Sequence, residues 1–149
     1  KIVTMKKILP ILIIALVVFS GCLKRKESFL VGKWKDVPRI EDPTVLNIWA
    51  FKDNNTFVIE VFNKLEDGTI GELLREITGQ YTIDKKKLSE FRLTLELDVE
   101  EHSYFYNGLN IIISGEYWIE ELDRNILKMT RENWNYESTP FLRLEMIRI

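Results

Sequence analysis

A chain of 149 residues with 21 Lys and Arg against 23 Asp and Glu carries a net charge of −2. That balance argues against a nucleic-acid-binding surface, and the length suits one domain with its own core. One cysteine excludes an intramolecular disulfide, one histidine (His102) leaves a metal site only carboxylates to draw on, and seven scattered glycines form no phosphate-binding loop.

In chain order, Lys6 and Lys7 precede an apolar stretch from Ile8 to Phe19, which ends in Ser20-Gly21-Cys22. A charged segment, an apolar run and small residues before a cysteine are the parts of a lipoprotein signal. The run contains Pro10 and falls short of the roughly 20 residues that span a bilayer as a helix. Cleavage between Gly21 and Cys22 is therefore expected, with Cys22 acylated and the protein held by lipid on the extracytoplasmic face of the cell envelope. Phe19 stands where such signals usually carry Leu, Val or Ile, and Met5 is the expected start of translation. This divides the chain into a signal peptide (1–21), a polar lipid-anchored tether (22–30) and one domain (31–149). Loss of Lys1, Lys6 and Lys7 with the signal leaves a net charge of −5, and acylation leaves no free thiol.

From Val31 onward the hydrophobic period is two. Phe91, Leu93, Leu95, Leu97 and Val99 alternate with Arg92, Thr94, Glu96, Asp98 and Glu100, the pattern of a strand with one buried and one wet face. The same test predicts strands over 31–37, 45–51, 56–63, 71–83, 88–99, 110–122, 126–134 and 140–149, and no helix downstream of the signal. Asp- and Asn-rich links at 52–55, 84–87 and 123–125 read as tight hairpins.

Eight sequential strands with short links predict an all-β fold, an up-and-down antiparallel barrel that leaves no exposed edge; a β-sandwich is the alternative. Gly32-Lys33-Trp34 is similar to the Gly-x-Trp signature of lipocalins. Phe51-Lys52-Asp53-Asn54-Asn55-Thr56-Phe57 and Gly79-Gln80-Tyr81-Thr82-Ile83 resemble hairpin motifs of lipocalin-like (calycin-type) domains of prokaryotic lipoproteins, while the Thr-Asp-Tyr motif of full-length lipocalins is absent. The resemblance implies a β-barrel that binds a small apolar or amphipathic ligand.

In a meander the links alternate between two ends. Those at 52–55, 84–87 and 123–125 form a closed floor, from which the tether also leaves; 38–44, 64–70, 100–109 and 135–139 form an open mouth. Tether and floor hold Lys24, Arg25, Lys26, Lys52, Lys85, Lys86, Lys87 and Arg124 against Glu27, Asp53, Asp84 and Asp123. The mouth holds Arg39 and Lys64 against Glu41, Asp42, Glu66, Asp67, Glu100, Glu101 and Glu137. A basic floor suits an anionic leaflet.

Strand parity puts Arg75 on one inward row with Leu73, Ile77 and Tyr81, and Arg131 on another with Leu127 and Met129, in the mouth half. A buried arginine needs a partner, which a ligand anion would supply, with Tyr81 and Tyr117 as apolar walls and hydroxyls; the alternatives are an internal salt bridge or a parity slip that leaves both arginines in solvent. Arg148 ends the inward row of Leu142, Leu144 and Met146 near Trp34, where a cation over an indole resembles the floor plug of lipocalins, with Gly32 beside it. Tyr104-Phe105-Tyr106, Trp134 and Tyr136 lie at the mouth, and outward Phe62 and Trp118 mark a possible patch. Glu100, Glu101 and His102 are adjacent in a strand end or loop, where alternate side chains diverge, and no nucleophile elbow occurs. The expectation is a non-enzyme without metal or cofactor, partnered by membrane, a small ligand or an envelope protein; a filled barrel acting as an interaction or inhibitor module is the alternative.

Overall fold

A computed structural model describes residues 23–37, 44–87, 90–99, 104–106, 109–136 and 139–149; the side chains of 104–106, 109–110, 132–136 and 139–141 are not among the described features. The signal segment, Cys22, His102 with its neighbouring glutamates, and the side chains of Tyr104, Phe105, Tyr106, Trp134 and Tyr136 therefore lie outside the described residues.

Among the described residues ten strands form: β1 (Gly32–Asp36), β2 (Val45–Phe51), β3 (Thr56–Lys64), β4 (Ile70–Lys85), β5 (Phe91–Leu97), β6 (Tyr104–Tyr106), β7 (Leu109–Ile111), β8 (Gly115–Leu122), β9 (Ile126–Tyr136) and β10 (Thr139–Arg148). Eight of them close into a barrel in the order β1-β10-β9-β8-β5-β4-β3-β2, all antiparallel, while β6 and β7 pair only with each other. Every barrel strand lies beside its predecessor in the meander, so the fold is the up-and-down barrel that the alternation predicts rather than a sandwich. The expected strand over 110–122 is two pieces, broken at 112–114, because Gly115 turns the chain with φ +141°.

The walls follow period two. Along β5 the burial alternates from Phe91 to Leu97, and along β4 from Ile77 to Ile83, so one face enters the core while the charged face meets water. A contiguous core runs from Trp34 and Leu30 through Trp49, Phe51, Phe57 and Tyr81 to Ile111, Ile113 and Tyr117. The floor half is aromatic: Trp49 stacks on Phe51 and Phe57 at 5.8 and 5.9 Å, and Tyr81 meets Phe51 edge-on at 5.3 Å. Outside, Arg92 lies 3.8 Å over Trp118 and pairs with Glu90 at 2.9 Å.

Residues 23–30 are helical (α1), where an extended tether is expected from sequence. Leu23, Lys26, Glu27 and Leu30 fall at helical spacing on the less exposed side, with Lys24, Arg25 and Ser28 in solvent. Two turns of helix would not persist alone in water, so α1 owes its form to docking on the barrel.

β4 outruns its neighbour. It pairs with β3 from Ile70 to Gln80 but with β5 only from Gly79 to Lys85, and two register shifts interrupt its mouth end opposite Val61–Lys64. The result is a twisted two-stranded ribbon that overhangs the mouth.

Candidate functional site

Both ends of the barrel carry the same arrangement of residues. At the floor, Gly32 (φ +143°) opens β1, and a Cβ there would run into the Arg148 guanidinium. Arg148 donates to the carbonyls of Val31, at 3.1 Å, and of Phe29, and its guanidinium carbon lies 4.5 Å over the Trp34 ring. The Trp34 indole donates to Leu30 O at 2.8 Å, and Leu30 is fully buried. The guanidinium thus bonds carbonyls one and three residues before the glycine, and the aromatic two residues after it bonds the carbonyl two residues before it.

At the mouth, Gly115 opens β8 with φ +141°, and a Cβ there would meet the Arg131 guanidinium. Arg131 donates to Ser114 O and, at 3.4 Å, to Ile112 O, again one and three residues before the glycine. Tyr117, two residues after it, donates to Ile113 O at 2.8 Å, and Ile113 is fully buried. The sequence carries the repeat: Leu127-x-Met129-x-Arg131 on β9 matches Leu144-x-Met146-x-Arg148 on β10. Those strands pair Leu127 with Met146, Lys128 with Glu145 and Met129 with Leu144, a register symmetric about the Lys128–Glu145 pair. An approximate two-fold therefore exchanges β9 with β10 and β8 with β1, carrying the floor clamp onto the mouth clamp. The repetition of Gly-x-aromatic and of Leu-x-Met-x-Arg is the signal that strand-by-strand reading passes over.

The four residues expected to form a ligand site are therefore not one cluster. Arg131 and Tyr117 meet, but on the backbone of 112–114; burial raises the Tyr117 hydroxyl's pKa, with Arg131 pulling against it. Tyr81 points to the opposite end: its hydroxyl donates to Lys52 O at 2.6 Å in a floor turn, and burial foremost, then Glu27 and Asp53, raises its pKa. Arg75 stands opposite buried Val61 on the inward row, half-buried, with no hydrogen bond or ion pair among the described residues. Leu73, placed with it by simple alternation, is on the outer row instead, because the register shift between Val61 and Phe62 reverses the parity.

Beside Arg75 the ribbon leaves Leu65, Ile70, Leu73 and Leu74 exposed by 45%, 50%, 46% and 55%. Just below the mouth, the buried Asp36 carboxylate accepts from Asn47 Nδ2 at 2.9 Å and Trp49 Nε1 at 3.0 Å, a polar pair unannounced by sequence. Among the described residues no group of three His, Cys, Asp or Glu side chains converges as a metal site would require, and no helix is long and apolar enough to cross a membrane.

Comparisons with protein-family models, with curated proteins and with solved structures find no match.

Proposed function

We propose that this chain is an envelope lipoprotein, anchored through acylated Cys22, whose barrel is a filled body acting through its surface as a protein-interaction module. The observation that carries this is the double clamp. Arg131, expected to meet a ligand, is spent on the backbone at the mouth as Arg148 is at the floor, and the core is continuous between them. The surface that fits a partner is the ribbon: four large aliphatic side chains, each about half exposed, at the end away from α1. An anchor at Cys22 turns this end toward the aqueous compartment. A photo-crosslinking amino acid at Leu73 of the anchored protein is expected to trap a discrete protein adduct that the same group at Thr94, on the neighbouring strand β5 away from the ribbon, does not. Cys22→Ser is expected to release the protein from membranes or leave its signal uncleaved.

A second reading, capture of a small apolar or amphipathic ligand in a lipocalin-like barrel, draws on Arg75 alone, an inward cation without a protein partner among the described residues. Saturable binding of a fluorescent acyl carboxylate by residues 23–149, weakened about tenfold or more by Arg75→Gln while a neutral analogue is unaffected, would replace the first reading with this one. No catalytic step is part of either.

A further inference from the structure

We propose that the barrel floor is a docking face for anionic lipid headgroups, assembled only because α1 lies across it. The position of α1 follows from contacts beside two of the floor turns and with Arg148. Lys26 donates to Leu122 O at 2.6 Å beside the 123–125 turn and lies 5.9 Å over the Phe91 ring beside the 86–90 turn. Glu27 is close enough to Tyr81, whose hydroxyl bonds the 52–55 turn, to raise its pKa. Leu30 is fully buried and the Arg148 fork holds the last turn of the helix. The exposed side of α1 is thereby fixed in one surface with the turns.

That surface holds Lys24, Arg25, Lys26, Lys52, Lys85, Lys86, Lys87 and Arg124 against Glu27, Asp53, Asp84, Glu90 and Asp123, a surplus of three positive charges. Some are committed: Lys87 pairs with Glu90 at 3.4 Å, Lys86 with Glu116 at 3.7 Å, and Lys26 with a carbonyl. Lys24, Arg25, Lys52 and Arg124 are exposed and have no carboxylate within ion-pairing distance among the described residues. Backbone amides satisfy Asp123, whose pKa is lowered by Asn125 N–H and Ile126 N–H, so it is a weak competitor for those cations.

The chain itself names the occupant. Immediately before Leu23 come Cys22 and the apolar run from Ile8 to Phe19. Whether that run is cleaved, leaving an acylated Cys22, or retained, the bilayer lies next to the first residue of α1. An extended tether of eight residues would let the barrel drift up to about 26–29 Å away, whereas two docked helical turns hold the cations at the headgroups. Half-buried Leu23 and Phe29 add apolar contact at the same level.

This inference rests on the reading that the segment upstream of Leu23 enters the membrane, and one experiment separates the two. Residues 23–149 contain the helix and all ten strands, and without Cys22 carry no acyl group. This fragment is mixed with vesicles of phosphatidylcholine with and without phosphatidylglycerol, and its partition is measured by sedimentation. Binding is expected only with the anionic lipid, and to fall between about 0.1 and 1 M salt as the Debye length shrinks from roughly 10 to 3 Å. With about fivefold in affinity per cation, Lys24→Glu combined with Arg124→Glu is expected to weaken it at least tenfold, and Lys64→Glu at the mouth to leave it within about twofold. Equal partition onto neutral vesicles, no partition onto anionic ones, or an equal loss from Lys64→Glu would overturn the proposal. If the full chain with Cys22 stays membrane-bound while the fragment ignores anionic vesicles, the floor site is refuted and the anchor stands.

Discussion

Arg148→Ala tests whether α1 is part of the folded body or a loose attachment. The substitution removes two hydrogen bonds from a cation to the carbonyls of Phe29 and Val31, each worth about 1.5–3 kcal/mol, and a stacking contact with Trp34 worth about 0.5–2 kcal/mol. Relief of the guanidinium's desolvation, including a buried Nε without a hydrogen-bond partner, offsets part of this, so a net loss of about 3 kcal/mol is expected. Leu30→Ala empties a fully buried site and should cost about 2–3 kcal/mol. If α1 docks as one unit, either change alone undocks it, and the double variant should lose no more than about 3 kcal/mol rather than the additive 5–6 kcal/mol. Urea unfolding followed by tryptophan fluorescence measures all three, and undocking should also lower the denaturant slope of the variants. Strict additivity, or a loss below about 0.5 kcal/mol for Arg148→Ala, would refute a helix held by the floor clamp.

Gly32→Ala places a Cβ at φ +143° against the Arg148 guanidinium, and thermal melts should show a loss of about 1–3 kcal/mol that Arg148→Ala relieves only in part, since the backbone strain remains. Burial raises the Tyr117 pKa in the folded state, so the neutral phenol's contribution to stability is complete below about pH 10 and is lost as the pH rises toward the folded value. Tyrosinate absorbance should therefore show Tyr117 silent until the barrel unfolds, and Tyr117→Phe should leave the folded-state titration curve unchanged; an ionisation lost from the folded curve would contradict its burial.

Much of the fold was legible because its information is local. Period-two alternation from Phe91 to Leu97 reports burial on one face, and the Asp- and Asn-rich links at 52–55 and 123–125 report chain reversal, so barrel strands and their order follow with little tertiary input. Boundaries moved where backbone rather than pattern decided. Gly115, with φ +141°, opens β8 inside what pattern alone reads as one strand over 110–122, and a register shift near Leu73 reverses a parity that counting by twos carries straight through.

Site residues were less legible, because an inward arginine looks the same in sequence whether a ligand or a carbonyl receives it. By itself the sequence determined the all-β class, the meander and the inward rows that end in Arg131 and Arg148, since each is written in neighbouring residues. Only the tertiary structure decided that Leu23 to Leu30 is a docked helix, that Arg131 bonds backbone carbonyls at the mouth as Arg148 does at the floor, and that Arg75 alone of the three has no partner among the described residues. The reason is physical: two helical turns and a half-buried guanidinium take their form from carbonyls more than a dozen residues away, which only the closing of the barrel brings within hydrogen-bonding distance.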